Sequence, residues 1–277
     1  MVSKDQRRRQ LAREKYERQQ QRRSTAQQKT KRRHVITASV AAVTLAAGAA
    51  VYASAGLAGG NDQEAGRAAA TPTPSRAPDP CNRPAKGTPS KKTWSKEPAM
   101  SVDTSASYTA KLTTTCGTID LKLDAGKAPH TVNSFAFLAG QGYFDHSKCH
   151  RLVDQGIHVL QCGDPKGTGR GTPGYTIPDE NLKDPRLKGG VYPAGTVAMA
   201  NRYDGASDKT RNSGGSQFFL VYQDSKLPPN YTPFGTITGG MDVLQKIAKA
   251  GSTTDPQTRN TAPNATVVID KASVKKS

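Results

Sequence analysis

The sequence predicts a mainly β domain, an antiparallel barrel capped by two helices, and three observations carry that expectation. First, short β-branched or aromatic runs bounded by turn residues recur along the second half of the chain and read as strands: Ser107 to Thr114, Gly117 to Leu123, His150 to Val153, Ile157 to Gln161, Thr196 to Ala200, Ser216 to Tyr222 and Thr266 to Ile269. Second, 26 glycines and 18 prolines among 277 residues favour turns over long helices. Third, a helical signal occurs in only two stretches of this region. Thr131 to Gly140 follows Pro129 and holds Val132, Phe135, Phe137 and Leu138, and Met241 to Ala250 holds Val243, Leu244, Ile247 and Ala248. Seven or eight strands and two helices fit a barrel closed at its ends.

The chain ahead of the barrel divides by composition. Residues 1–34 form a basic arm: Met1 to Arg33 holds thirteen Lys/Arg against Asp5, Glu14 and Glu17, a large share of the net charge of +18. Val35 to Gly60 carries no ionisable group except Tyr52 and is long enough to cross a bilayer. The basic arm marks the side that stays in the cytoplasm, so the remainder is expected outside it. Residues 35–60 are read as a retained single-pass membrane anchor, with a cleaved export signal as the rival. The rival draws on Ala53-Ser54-Ala55, a small-x-small pattern, and on Arg32-Arg33-His34-Val35-Ile36, which resembles a twin-arginine signal. The arm has no aromatic stacking residue apart from Tyr16, so it is read as a topogenic run that touches anionic lipid, with no specific nucleic-acid partner. Residues 61–100, with prolines at 72, 74, 78, 80, 84, 89 and 98, read as an extended linker. The folded domain is expected over residues 101–277, and the chain is read as a monomer.

Cys81, Cys116, Cys149 and Cys162 all fall in the part placed outside the cytoplasm, where disulfides persist. No CxxC pair or neighbouring histidine argues for zinc. Of the three possible connectivities, closeness in a hairpin favours Cys149 with Cys162, leaving Cys81 with Cys116. Strand alternation opposes it: if Arg151 and Gln161 face one way, Cys149 joins them and Cys162 points opposite, unless a bulge intervenes.

Hydrolase, zincin and phosphate-loop patterns are missing, and Gly167-Thr168-Gly169-Arg170-Gly171 lacks the Lys-Ser/Thr that a phosphate loop needs. What remains is a set of separated stretches: Val132-Asn133-Ser134-Phe135, His150-Arg151-Leu152-Val153, Leu160-Gln161-Cys162-Gly163-Asp164, Met199-Ala200-Asn201, Gly215-Ser216-Gln217-Phe218-Phe219 and Phe234-Gly235. In this order they resemble the cyclophilin family of peptidyl-prolyl isomerases, over about Tyr108 to Ile269. The resemblance implies an eight-stranded antiparallel barrel with two helices and an activity on proline-containing polypeptides. It makes Arg151 the catalytic residue, with Gln161 and the backbone of Asn201 gripping the substrate chain. Val159, Phe219 and Leu227 would line the proline pocket, and Ala200 and Gln217 would border the neighbouring groove. Such chemistry needs no nucleophile, metal or cofactor.

The chain departs from the family at several points. Counting back from Gln161 puts His158 where the family has an aromatic pocket residue, with Ile157 as the alternative, and the hairpin through Asp154-Gln155-Gly156 is longer by about two residues. Tyr231 replaces a pocket-edge histidine, Lys226 replaces the tryptophan that supports cyclosporin binding, and the loop between Asn201 and Gly215 is enlarged. Two functions are therefore weighed: an isomerase for exported proteins, favoured by Arg151 and Gln161, and a non-catalytic module that holds proline-containing segments, favoured by the altered hairpin and loop.

Overall fold

Strand β1 (Tyr108–Thr114) alternates buried and exposed residues along its whole length, the period of a sheet with one face on a core and one in water. It pairs antiparallel with β2 (Gly117–Leu123) on one side and with the long C-terminal β13 (Val268–Lys276) on the other. The chain is described here from a computed structural model over residues 78–203, 207–256 and 260–277. The arm, the expected membrane span and the linker as far as residue 77 lie outside the described residues. Among the described residues no helix is long and apolar enough to cross a membrane.

Between these strands run β3 (Ser147–Lys148), β4 (Arg151–Val153), β5 (Val159–Cys162), β7 (Thr196–Met199), β8 (Phe218–Val221) and β10 (Pro233–Gly239), with short strands β6 (Val191–Tyr192) paired to β9 (Ser225–Lys226) and β11 (Ser252–Thr254) paired to β12 (Thr261–Pro263). The main sheet has nine strands in the order β3-β13-β1-β2-β10-β7-β8-β5-β4. Its first and last members are separated only by Cys149 and His150, so they are halves of one strand. The sheet curls until its two ends meet there, and the nine strands fill the eight positions expected of the barrel.

The sequence reading missed β10, which lies between β2 and β7. Proline and glycine carry little strand signal, yet Pro233 opens the strand, where a missing N–H is tolerated. At Gly235 a Cβ would come within 2.7 Å of the Lys122 carbonyl, so the close approach of β2 requires glycine.

Helix α1 (Pro129–Gly140) starts with proline at its first turn and has no side-chain cap of its own. The Glu180 carboxylate supplies one from a distant loop, accepting from the backbone N–H of His130 at 3.1 Å and of Thr131 at 2.9 Å. Its Phe135 packs against Phe144, Phe218 and Phe234 at centroid distances of 5.0, 5.3 and 5.5 Å, which closes one end of the barrel with an aromatic cluster. Helix α2 (Met241–Lys249) buries Val243, Leu244 and Ile247 and leaves its other face polar.

Residues 78–100 are not a free linker. Cys81 is bonded to Cys116, Trp94 packs edge-on to Phe137 at 5.1 Å, the Trp94 N–H donates to the Pro173 carbonyl, and Ala85 N–H donates to Asp270. The prolines keep this segment extended, and its half-buried tryptophan and disulfide fasten it along the barrel. The folded part therefore begins ahead of Ser101.

The second disulfide joins Cys149 to Cys162, and an irregularity reconciles it with alternation. Ser147 and Cys149 are buried around exposed Lys148, but the next fully buried residue is Leu152, three positions on. The break between β3 and β4 thus reverses the side of the sheet to which side chains point. Cys149 and Cys162 both reach the core while Arg151 does not.

An ionic knot fixes the loop ahead of β6. Arg186 donates to Asp184 through Nε at 3.0 Å and Nη2 at 2.9 Å, to Asp124 at 2.8 Å and to Thr236 at 2.7 Å. Burial of Asp184 alone would raise its carboxyl. Hydrogen bonds from the Arg186 side chain and N–H and from Asn181 outweigh that and hold it well below the usual carboxylate range. Its contribution to stability is complete above the unfolded value of about 4 and is lost as pH falls below it toward the depressed folded value. Asp184→Asn should lower the denaturation midpoint at pH 7 and show a shallower loss of stability between pH 5 and pH 2 than the unaltered chain, as read from urea unfolding followed by Trp94 fluorescence.

Candidate active site

Cross-strand register builds the site. Arg151 on β4 lies opposite Gln161 on β5, Gln161 opposite Phe219 on β8, and Phe219 opposite Ala198 on β7. Directly paired residues share a face, so these four form one row on the outside of the barrel. A second row on the same face runs Val153, Val159, Val221. The intervening row, Leu152, Leu160, Leu220 and Val197, points inward and is buried.

An outward face of Val, Phe and Ala would be exposed unless something covered it. Leu187, Tyr192, Leu227 and Tyr231 provide the cover, making with Val159, Ala198, Phe219 and Val221 an apolar cluster separate from the main core. Tyr231 stands edge-on to Phe219 at 5.4 Å. Its main chain is clamped by Tyr192, whose hydroxyl donates to the Tyr231 carbonyl at 2.8 Å and accepts from its N–H at 3.1 Å. Burial pushes the Tyr192 hydroxyl up to about 12, so it remains a neutral donor throughout the ordinary pH range. Leu227 and Tyr231 stay partly exposed, so the cover is incomplete, and the register sets Gln161 and then Arg151 beside Phe219.

A chain of amides orients the polar margin. Gln217 donates Nε2 to the Gly171 carbonyl at 2.9 Å, Gln161 donates Nε2 to Gln217 Oε1 at 2.9 Å, and Arg151 Nη1 approaches Gln161 Oε1 at a long 3.4 Å. The Gly171 carbonyl is held by the loop that begins at buried Asp164. Both Asp164 oxygens are engaged there, Oδ1 by Lys166 N–H and Oδ2 by Thr168 N–H, Thr168 Oγ1 and Gly171 N–H, at 2.8 to 3.0 Å. A Cβ on residue 171 would collide with the Asp164 carboxylate, so the loop closes this tightly only around glycine. Burial would raise the Asp164 carboxyl, but these bonds win and lower it. Beyond Gln161 and Gln217 a cleft of about 130 Å³ continues along Ala200, Asn201 and the 169–172 loop. The Asn201 side chain is occupied by the Asn230 carbonyl at 2.8 Å and by Asp179, so its main chain is what it offers a ligand.

Of the residues singled out from sequence, Arg151, Val159, Gln161, Ala200, Asn201, Gln217, Phe219, Leu227 and Tyr231 converge on this groove. His158 does not. Alternation places it opposite to Val159, where its ring packs edge-on to Tyr222 at 5.6 Å and its N–H donates to Ser225. Ile157 joins the apolar cluster instead. Lys226 is exposed beside Leu227, opposite Val191. The sequence reading missed Leu187 and Tyr192, which lie in a Gly-, Pro- and Lys-rich stretch with no strand or helix period to mark them as cover. A larger cavity of about 520 Å³, lined by Lys148, His150 and Thr266 among others, contains none of the groove residues. Among the described residues no group of His, Cys, Asp or Glu is placed to hold a metal ion.

Residues 109–274 match the model of the cyclophilin-type peptidyl-prolyl cis-trans isomerases. The chain belongs to the cyclophilin family. The domain is 50% identical over 155 residues to the probable peptidyl-prolyl cis-trans isomerase B of Mycobacterium leprae, an alignment covering 53% of this chain and 50% of that one. It is 48% identical to the Mycobacterium tuberculosis counterpart over 155 residues, covering 53% of this chain and 48% of the relative. The chain thus spans about half the length of these mycobacterial relatives. It is 36% identical over 165 residues to the isomerase-like 1 protein of Neurospora crassa, covering 58% of this chain and 90% of the relative. Among solved structures, a Cryptosporidium parvum cyclophilin-type isomerase superposes with TM-score 0.50 at 25% identity, covering 62% of this chain and 99% of that one. Within this cyclophilin domain, Asn133 and Ser134 of the matched Val132-Asn133-Ser134-Phe135 run serve the scaffold. Asn133 accepts from the Ser101 N–H at 2.9 Å and Ser134 bonds Tyr175 at 2.8 Å, both away from the groove.

The Asp164 loop gives a test of how the amide chain is held. Asp164→Ala removes the buried carboxylate that accepts from the N–H groups of Lys166, Thr168 and Gly171 and should cost about 1–3 kcal/mol. Amide exchange followed by NMR should speed up at Lys166, Thr168 and Gly171 well before it changes at Ile119 or Leu121 in β2.

Proposed function

We propose that this chain is a peptidyl-prolyl cis-trans isomerase acting on proline-containing polypeptides. The observation that carries the reading is the juxtaposition of an apolar cluster, left partly exposed at Leu227 and Tyr231, with the Arg151–Gln161 pair that the strand register sets beside Phe219. Rotation about an X-Pro bond is slow because the nitrogen lone pair is delocalised into the carbonyl, a barrier of about 18–20 kcal/mol. With the prolyl ring against Val159, Phe219, Leu227 and Tyr231, the Arg151 guanidinium donates to the prolyl nitrogen as that atom becomes pyramidal. The lone pair is then held by the hydrogen bond and withdrawn from resonance. The planar states offer no such lone pair, so the bond strengthens only in the twisted state and lowers the barrier. Arginine suits the role because it stays protonated and carries several donors in a rigid plane, one turned to Gln161 and the others available to substrate.

Arg151→Ala should leave the barrel folded, because the side chain faces the groove, and should lower kcat/KM on an Ala-Pro peptide by about a hundredfold or more. Arg151→Lys should recover little of it, since a lysine presents a single mobile donor group in place of the plane. Exchange spectroscopy on the two isomers of the peptide measures both. Unchanged turnover in the folded alanine variant would return the domain to the alternative of a binding module.

The same reading places the domain outside the cytoplasm, tethered by residues 35–60 or released from them, where exported chains meet it. Support comes from two disulfides that use all four cysteines and from the basic arm ahead of an uncharged stretch. Protease added to intact cells should remove or release the domain; full-length chain in the soluble cytoplasmic fraction, protected until lysis, would contradict it.

A further inference from the structure

The cleft that continues from the apolar cluster is lined by uncharged groups, chiefly Gln161, Ala200, Asn201 and Gln217, and by two arginines. Arg170 stands on the loop held by Asp164, and Arg202 begins the enlarged loop after Asn201. Each is anchored through its backbone, Arg170 N–H on Thr168 Oγ1 at 3.2 Å and Arg202 N–H on Ser213 Oγ at 2.9 Å. Both side chains are exposed, and neither has an ion-pair partner among the described residues. No carboxylate lines the cleft among those residues. The carboxylates behind it are engaged elsewhere: Asp164 by four donors of its own loop, and Asp179 by Asn201, the Asn212 N–H and Arg211, the last also stacked 3.7 Å from the centre of the Tyr203 ring. The cleft mouth is therefore a positive, half-open site on the path of any peptide whose proline occupies the cluster.

We infer that Arg170 and Arg202 make this groove selective for polypeptides with an acidic side chain two residues from the proline, a preference that rests on the reading of the groove as a proline-peptide site. The spacing follows from extended-chain geometry. Side chains two apart point to the same face and lie about 7 Å from one another. Ala200 belongs both to the margin of the apolar cluster and to the wall of the cleft, so the two sites adjoin, as a chain with neighbouring side chains on one face requires. A carboxylate there meets two guanidiniums without losing its water, which favours it modestly and in a salt-dependent way.

The test uses the full chain and a set of otherwise identical alanine-rich Xaa-Pro peptides carrying Glu, Ala or Lys two positions before or two positions after the proline. Turnover is measured by exchange spectroscopy and binding by fluorescence anisotropy, at low and at high salt. At low salt Glu should exceed Lys by about fivefold at one of the two positions, and the difference should shrink at high salt. The double variant Arg170→Glu with Arg202→Glu should invert the order at that position. This reversal separates the cleft from the basic N-terminal arm, which is unchanged in the variant and would preserve a Glu preference of its own. Equal turnover and equal binding of the Glu and Lys peptides, or a preference that survives the double reversal, would overturn the inference while leaving the isomerase reading intact. Glu-selective binding that inverts in the variant, with no turnover of any peptide, would support the selectivity and remove the isomerase reading.

Discussion

The groove depends on one irregularity, the break at Cys149 and His150 where β3 gives way to β4. Ser147 and Cys149 point into the core, and an unbroken strand would send Arg151 after them and turn Leu152 out to water. A guanidinium driven into that apolar interior would face a desolvation penalty of several kcal/mol with no partner to offset it. The break reverses the parity, and from that point Arg151 faces out while Leu152 completes the inward row with Leu160, Leu220 and Val197. The same reversal lets Cys149 meet Cys162 inside, a covalent link placed two residues before Arg151 and one after Gln161. The register that joins those two polar residues is thereby braced from the core side.

Once the outward face carries Val159, Phe219 and Val221, the rest of the architecture is obliged to cover most of it. Burying such side chains stabilises by about 1.5–3 kcal/mol each, and leaving the whole row wet would forfeit that and invite association. The cover is assembled from loops, Leu187 and Tyr192 from one and Leu227 and Tyr231 from the other, joined by the β6–β9 pairing. Loops hold position poorly by themselves. Here the Arg186 knot ties the first to Asp124, just past the end of β2, and to β10, and the Tyr192 hydroxyl ties the second to the first. The cover is incomplete, since Leu227 and Tyr231 stay partly exposed, and the proposed function rests on that opening.

How much of this the sequence disclosed follows from the kind of information each feature carries. Alternating strands such as β1 and β2 and the amphipathic α2 announce themselves by period, and the barrel class was legible from them. Arg151, Gln161 and Gln217 became legible as a site only through the order of the matched motifs, since residue type alone leaves an arginine on a strand undistinguished. β10 was hidden because its proline and glycines answer to a neighbouring backbone and not to local propensity. The fastening of residues 78–100 was hidden for a related reason: an extended proline-rich segment looks the same free or docked, and only Cys81 hinted at a partner. His158 was misplaced by counting back from Gln161 across the lengthened hairpin, where a shift of one residue changes the face.

The direction of the amide chain is what turns these placements into a poised guanidinium. A backbone carbonyl only accepts, so the Gly171 carbonyl compels Gln217 to present its NH₂ there and its oxygen to Gln161. Gln161 must then give its own NH₂ to Gln217, which leaves its oxygen as the group facing Arg151. Neither amide can turn over without setting donor against donor. An amide presented the other way would repel the guanidinium and push it off the groove. The orientation of Arg151 is therefore imposed from a carbonyl three hydrogen bonds away, and that carbonyl belongs to the residue whose N–H is held by the buried charge of Asp164. The long Arg151–Gln161 contact is consistent with this division of labour: the amide aims the guanidinium without consuming its donors, which is what the proposed isomerisation asks of Arg151.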